Sequence, residues 1–452
     1  MDMQIILSIL SQMRQFRQRD HWTRQQLETH QADALRSLRD DTYAHSPFYR
    51  RFHRGLTGAP LRELPVLTKE MLMEHFDELV TDRAIHLQEV QAHMAHLKGD
   101  ERFLGRYRVN ATSGSSGHPG VFLFDHASWL AVLASFARAR EWAGIKVNLT
   151  RRVKTATIAS MTPFHMSTRV NATVRSWWMP ELRLAASEPR ESIVEQLNAW
   201  QPEVLIAYAS LARILADEQR TGHLQITPRA VFTSSEVLTE ETRRRIVHAW
   251  GEQVFNQYAA TESGSLAAEC DQHRGMHLAE DLVIFEVVDR DNRPLPPGVY
   301  GDKLLITVLF NHTQPLIRYE LSDSVRLSLS PCPSGHPFAL VDDIGGRVED
   351  VLSFPSGAGG VVNVHPLVFS RIMDTLPVSG WQVVQEVDGL HVLVSSTRGE
   401  FDDEMLADTL QQALAEQGAI VARVEVQHVA SIPKTAAGKA PLIKSNLQTH
   451  LL

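Results

Sequence analysis

The passage Thr112-Ser113-Gly114-Ser115-Ser116-Gly117-His118-Pro119-Gly120 concentrates hydroxyls and glycines just ahead of an apolar run. Glycine lets backbone N–H groups approach an anion closely, and the hydroxyls add donors, so such a loop suits a polyphosphate. It is not a Walker A loop, because no Gly-Lys-Ser/Thr follows, and by itself it also reads as a flexible linker. Farther on, Tyr258-Ala259-Ala260-Thr261-Glu262-Ser263-Gly264 follows the apolar Val254-Phe255. A carboxylate at a strand end can hold Mg²⁺ beside phosphates, and an aromatic neighbour can stack on a purine. Taken singly, Glu262 also reads as a solvated acid and Tyr258 as a core aromatic. In Ile317-Arg318-Tyr319-Glu320-Leu321-Ser322-Asp323 the aspartate could accept both hydroxyls of a ribose or simply close a turn. Gly345-Gly346-Arg347-Val348-Glu349-Asp350 marks a turn where the texture of the chain changes. Finally, Pro433-Lys434-Thr435-Ala436-Ala437-Gly438-Lys439 offers either a solvated basic loop or a cation for charge developing on a carboxylate and a phosphate.

These residues need elements to hold them. The first hundred residues read as helices, broken by a turn at His45-Ser46-Pro47. From about Arg106 the pattern changes to short apolar runs followed by helical stretches. Val121-Phe122-Leu123-Phe124 precedes Trp129 to Trp142, Val204 to Tyr208 precedes Leu211 to Gln219, and Ala230 to Thr233 precedes a helix opening on Thr239, Glu240 and Glu241. That alternation predicts an α/β fold, in which ligands sit at strand-to-helix turns. Asp281 to Leu329 is strand-rich. Beyond Gly345-Gly346, strands near Trp381–Val387 and His391–Ser395, a helix over 402–417 and a strand over 422–429 predict a small α+β unit.

The chain has 452 residues, enough for two or three domains, with 43% hydrophobic and 22% charged residues. A net charge of -8 and the lack of a long Lys/Arg run argue against a nucleic-acid partner. Two cysteines, Cys270 and Cys332, point to a reducing, cytoplasmic setting. The apolar Ile5, Ile6, Leu7, Ile9 and Leu10 lie between Asp2 and Arg14, so neither a secretion signal nor a membrane span is expected.

In this order and at these separations, the five motifs resemble the adenylate-forming superfamily, which includes acyl-coenzyme A synthetases and peptide-synthetase adenylation domains. The phenylacetate–coenzyme A ligase and CapK-like branch is the nearest in character. It is marked by His45-Ser46-Pro47-Phe48-Tyr49, Leu64-Pro65-Val66-Leu67-Thr68-Lys69, Gln314-Pro315-Leu316-Ile317-Arg318-Tyr319 and Cys332-Pro333-Ser334-Gly335-His336. The resemblance implies a large N-terminal α/β domain over 1–348 and a small mobile C-terminal domain over 349–452, hinged at Glu349. It implies ATP and Mg²⁺, with Thr112, Ser113, Gly114, Ser115, Ser116, Gly117 and Thr261 at the phosphates, Glu262 at Mg²⁺, and Tyr258, Ser235 and Glu236 at the adenine. Asp323 would meet the ribose, Arg347 the ribose or the phosphate edge, and Lys439 would be the lysine of adenylation. His118, Ala259, Ser235 and Ser322 depart from the usual pattern, standing where lysine, glycine, glycine and glycine are common.

The implied reaction is ATP-dependent activation of a small carboxylic acid to an acyl-AMP, then transfer to a thiol. Coenzyme A is the expected acceptor, and a phenylacetate- or benzoate-like aryl acid the expected substrate. Phe164, His165, Met166 and Ala259 would border the acid, although the 161–166 loop also reads as packing on Trp177 and Trp178. A carrier-protein phosphopantetheine or an amine in a biosynthetic pathway is the alternative acceptor, a non-catalytic scaffold is a third reading, and a homodimer is a compatible assembly. Cys270, His277, Cys332 and His336 stand where this branch carries zinc ligands. Two buried free thiols among surface histidines are the other reading.

Overall fold

The computed structural model describes residues 3–112, 119–146, 152–174, 180–347, 350–357, 359–397, 401–435 and 438–447. Ser113, Gly114, Ser115, Ser116, Gly117, His118, Trp177, Trp178 and Glu349 lie outside the described residues. The predicted α/β class is observed. A nine-stranded sheet runs Asp323–Leu327, Leu340–Arg347, Met276–Leu278, Gly264–Glu269, Val254–Ala260, Ala230–Ser234, Val204–Tyr208, Thr155–Ala159, Glu181–Ala185. The last five of these strands are mutually parallel. Crossover helices bury Leu211, Leu215 and Ile246 against them, as continuous apolar strands such as Val204–Tyr208 require. Because the strands point the same way, the turns that follow them meet along one edge.

Two further layers fix that edge. The hairpin Arg108–Ala111 and Val121–Phe124 brackets the glycine-rich passage, and Gln314 grips it. The Gln314 side chain accepts from the Leu123 amide (2.8 Å) and donates to the Val121 carbonyl (3.0 Å). The helices Met3–Arg19 and Arg24–His45 are tied down by buried charge. Arg138 donates to Asp20 and, at 2.7 Å, to Asp281, whose side chain is fully buried. Such a pair holds only as a pair, since removing one partner strands the other away from water.

Residues Leu352 to Ile443 build a separate apolar core around Phe369, Trp381, Val392 and Leu410. Their four-stranded sheet runs Val424–Val429, Gly389–Thr397, Val378–Glu386, Ile443–Ser445. Its two edge strands are consecutive in sequence, so the chain between them must cross the end of the sheet. The lysine-bearing passage 433–439 is part of that crossing. No described helix is long and apolar enough to cross a membrane.

Candidate active site

Four of the parallel strands deliver site residues to one cleft. Ser235 and Glu236 leave Ala230–Ser234, Ser210 leaves Val204–Tyr208, Thr261 and Glu262 leave Val254–Ala260, and His165 follows Thr155–Ala159. Thr112, Tyr258, Ala259, Asp323, Arg347 and Lys439 line the same cleft of about 1440 Å³. That space exceeds an ordinary site for one small ligand and can take a nucleotide together with an acid.

Local geometry explains each position. Thr112 closes the base of the glycine-rich passage, donating its amide to the Gly120 carbonyl and accepting the Gly120 amide on Oγ1 (2.8 Å). Glu262 sits in a tight turn between antiparallel strands. There Gly264 has φ +85°, and an added Cβ would meet Val132 at 3.0 Å. Glu262 is buried, and burial raises its carboxyl to about 7 against the pull of the Arg347 and Lys69 charges. The Tyr319 hydroxyl hydrogen-bonds to it. A buried carboxyl with nearby cations is suited to complete its charge balance with a divalent ion.

Tyr258 and Asp323, separate motifs in the sequence, meet directly. The phenol donates to Asp323 Oδ2 at 2.6 Å, and Arg347 Nε lies 3.5 Å from Oδ1. Ser235 has φ +65°, so the backbone holds the left-handed form that glycine adopts freely even though serine stands there. Glu236 accepts on both oxygens, from Ser210 N (2.9 Å) and from Ala440 N (3.0 Å).

The lysine passage is docked into the cleft. Lys434 Nζ donates to the Ala186 carbonyl at 2.9 Å, and a Cβ on Gly438 (φ +80°) would meet Ala186 Cβ at 2.8 Å. Lys439 Nζ lies 5.7 Å from the centre of the Tyr208 ring. Burial, with the nearby Arg347 charge, lowers its ammonium to about 8, although Glu236 and Asp323 act the other way. His165 is held neutral, lowered to about 4 by burial and by the Lys439 and Arg183 charges.

Met166 and His165 line the cleft, but Phe164 packs partly buried against the main apolar core. Tyr208 and Ser210 join the site without having been singled out by type, and Tyr319, which sat inside two quoted motifs, joins it through Glu262. Lys434 and Lys69 sat inside quoted motifs, and their cleft positions come only from the fold.

The cysteines converge as expected from the resemblance. Cys270, His277 and Cys332 bring their donor atoms within 4.8 Å of one another, all buried. Two sulfurs about 2.3 Å from a tetrahedral zinc would stand about 3.8 Å apart. Here the separation is 3.7 Å, with His277 Nε2 3.4 Å from Cys270. Burial and His336 lower His277 to about 3, leaving the neutral imidazole a metal requires. His336 stands beside this trio rather than in it. Its ring packs near Trp142 and Phe338, and its Nδ1 lies 3.3 Å from the Asp20 carbonyl oxygen.

No protein-family profile matches the chain. The phenylacetate–coenzyme A ligase of Thermus thermophilus is 25% identical over 416 residues, 86% of each chain. Protein CapK of Staphylococcus aureus is 23% identical over 412 residues, 87% of this chain and 82% of its own. A solved 2-hydroxyisobutyryl-CoA ligase, in the postadenylation state with R3-HIB-AMP, superposes with a TM-score of 0.74 at 20% identity. That match covers 95% of this chain and 91% of the other. This chain has the fold of that ligase, and it is similar over most of its length to a phenylacetate–coenzyme A ligase and to a CapK protein. Against the same solved ligase in its thioesterification state the TM-score is 0.59.

Replacing Glu236 by Ala removes the acceptor shared by Ser210 and Ala440. Hydrogen exchange of both amides should accelerate by about tenfold or more while exchange within Leu205 to Tyr208 stays unchanged. Unchanged exchange at Ala440 would show that the lysine passage is held by other contacts.

Proposed function

We propose that this protein is an AMP-forming acid–thiol ligase that joins a carboxylic acid to ATP as an acyl-AMP and then passes the acyl group to coenzyme A. One observation carries this reading. Lys439, delivered by the C-terminal sheet, stands in the same cleft as Glu262, Asp323 and Tyr258, delivered by the large sheet. Adenylation needs an acid and an α-phosphate, both anionic, to be brought together. A cation held in a water-poor cleft offsets that repulsion most where charge builds up in the transition state.

In this proposal the acid carboxylate attacks the α-phosphorus and pyrophosphate leaves. Lys439 bridges the carboxylate and the α-phosphate oxygens. Thr112 and Thr261, with Ser113, Gly114, Ser115, Ser116 and Gly117, receive the β- and γ-phosphates. Ser235 and Glu236 border the adenine with Tyr258, while Asp323 and Arg347 hold the ribose. Glu262 would hold Mg²⁺, which supplies charge neutralisation at the phosphates. His165, neutral, Met166 and Ala259 border the acid. Residues 1–348 would form the nucleotide-binding domain, and 349–452 would turn about Glu349 after adenylation to admit the thiol.

The acceptor of this reading is coenzyme A, as in the name of the Thermus thermophilus relative. A carrier-protein phosphopantetheine or an amine is the rival, and a cytoplasmic setting suits either. Adenylate trapped by hydroxylamine while coenzyme A stays unreacted would favour the rival. Structural zinc would be held by Cys270, His277 and Cys332, with the chain's charge and shape there, not the reaction, depending on it.

Three outcomes check these assignments. Lys439→Ala should slow carboxylate-dependent pyrophosphate release by about 100-fold or more, with coenzyme A transfer from supplied acyl-AMP changed far less. Adenylation at the parent rate would remove the lysine from its role. Since Lys439 is lowered to about 8, its ammonium is present below that pH and lost above it. kcat/KM for ATP, which reports the free enzyme, should therefore fall above about pH 8, and Lys439→Arg should abolish that fall. Elemental analysis of protein purified without chelator should find about one zinc per chain, lost in Cys332→Ser; metal-free protein of full stability would favour the two free thiols.

A further inference from the structure

Four of the five most deeply buried arginines among the described residues have their partners, and Arg213, whose Nε has none, is the fifth. Arg108 is bidentate on Asp100, Arg138 bridges Asp20 and Asp281, Arg169 donates to the carbonyls of Gly99 and Glu101, and Arg318 pairs with Glu286 at 3.0 Å. Arg140 differs. It is only partly buried, lies in the last turn of the helix His126–Trp142 and lines the cleft. Among the described residues no hydrogen bond or ion pair engages its guanidinium, and Glu181 acts on it only through space. Burial lowers the Arg140 pKa, as expected for a charge short of compensation.

The lining of the cleft that Arg140 faces is also apolar in part. Phe136, one turn earlier on the same helix, faces the cleft. Opposite, Thr157, Ile206 and Phe232 are cross-strand neighbours on one face of the parallel sheet, and all three line the cleft. The Thr157 hydroxyl donates to Glu181 at 2.6 Å, so that carboxylate already has a partner. Two aromatic rings and an isoleucine thus supply apolar lining to the same cleft into which the guanidinium brings its donors. A planar fork of N–H donors that faces a cleft is specific for an oxygen acceptor once matched.

The geometry points to a selectivity device: Arg140 reads an oxygen acceptor carried by an aryl acid at the end remote from its reacting carboxylate. The inference rests on the ligase reading above and narrows its substrate to ring-hydroxylated or second-carboxylate aryl acids. A plain benzoate or phenylacetate fills the apolar walls but leaves the guanidinium unmatched. Sites built to hydrogen-bond a substrate oxygen reject the analogue lacking it strongly, whereas apolar walls distinguish similar rings weakly.

The test is acid-dependent pyrophosphate release by the full chain with ATP and Mg²⁺. The acids are benzoate, phenylacetate, 3- and 4-hydroxybenzoate, and isophthalate and terephthalate. An oxygenated acid should be favoured over benzoate by about tenfold or more in kcat/KM, and the hydroxyl and carboxylate arms tell which oxygen is read. Arg140→Met keeps the bulk without the donors. It should lower kcat/KM for the favoured acid by about 100-fold and for benzoate by less than about threefold, and Arg140→Lys should recover part of the loss. A thermal melt establishes that each variant folds. If Arg140→Met does not, the wild-type preference and the Arg140→Lys profile decide. Preference for an unsubstituted acid, or equal loss on every acid, overturns the inference but leaves the ligase reading standing. No release with any acid in the panel, together with none from an alkyl panel, overturns both.

Discussion

Both oxygens of one carboxylate, Glu236, are held by backbone amides from distant parts of the chain, Ser210 and Ala440. The first amide opens the helix after a parallel strand, and the second follows Lys439 in the lysine passage. Because a carboxylate accepting two N–H bonds in a water-poor cleft is hard to displace, the register of the lysine relative to the sheet edge follows from it. The glycine at 438 serves the same contact, since any side chain there would collide with Ala186.

Around that contact the cleft is a balance of charges, from the buried Glu262 to the exposed Arg347. Lys439 is weakened as a cation by burial and by Arg347, and Glu262 is weakened as an acid by burial, while Asp323 is engaged by Tyr258 on one oxygen and lies near Arg347 on the other. Each shift is in the direction that an anionic, metal-bearing ligand would reverse. Such a cleft is poised for ligand rather than for its own stability, which the apolar core beneath the sheet supplies.

Several family-like motifs turn out to be structural couplings to that core rather than to ligand. The Tyr49 hydroxyl donates to the Pro315 carbonyl at 2.8 Å and accepts from the Ile317 amide at 3.2 Å, joining the His45–Tyr49 passage to Gln314–Tyr319. Leu67 pairs with the Tyr319 strand, and Arg318, in a left-handed conformation, reaches the Leu64 carbonyl. These links hold Tyr319 against Glu262, so motifs hundreds of residues apart act on one carboxyl.

The α/β class, the order of the strands' helices, and the five chemistry-bearing passages were legible in the sequence. Apolar runs alternating with capped helices, and glycine-rich or hydroxyl-rich turns, are local signals governed by backbone sterics and capping. The cysteines and His277 were legible as soft donors of the right type. Proximity was not. That Tyr258 bonds Asp323, that His336 packs beside the sulfur cluster while Ser334 approaches it, that Phe164 packs only on the core while the buried Met166 also reaches the cleft, and that no described residue pairs with Arg140 all depend on strand register and on which helix face packs inward. Residue type and spacing determined what chemistry this chain could attempt. Long-range packing, which no local pattern encodes, decided which of those groups meet and which charge stays unmatched.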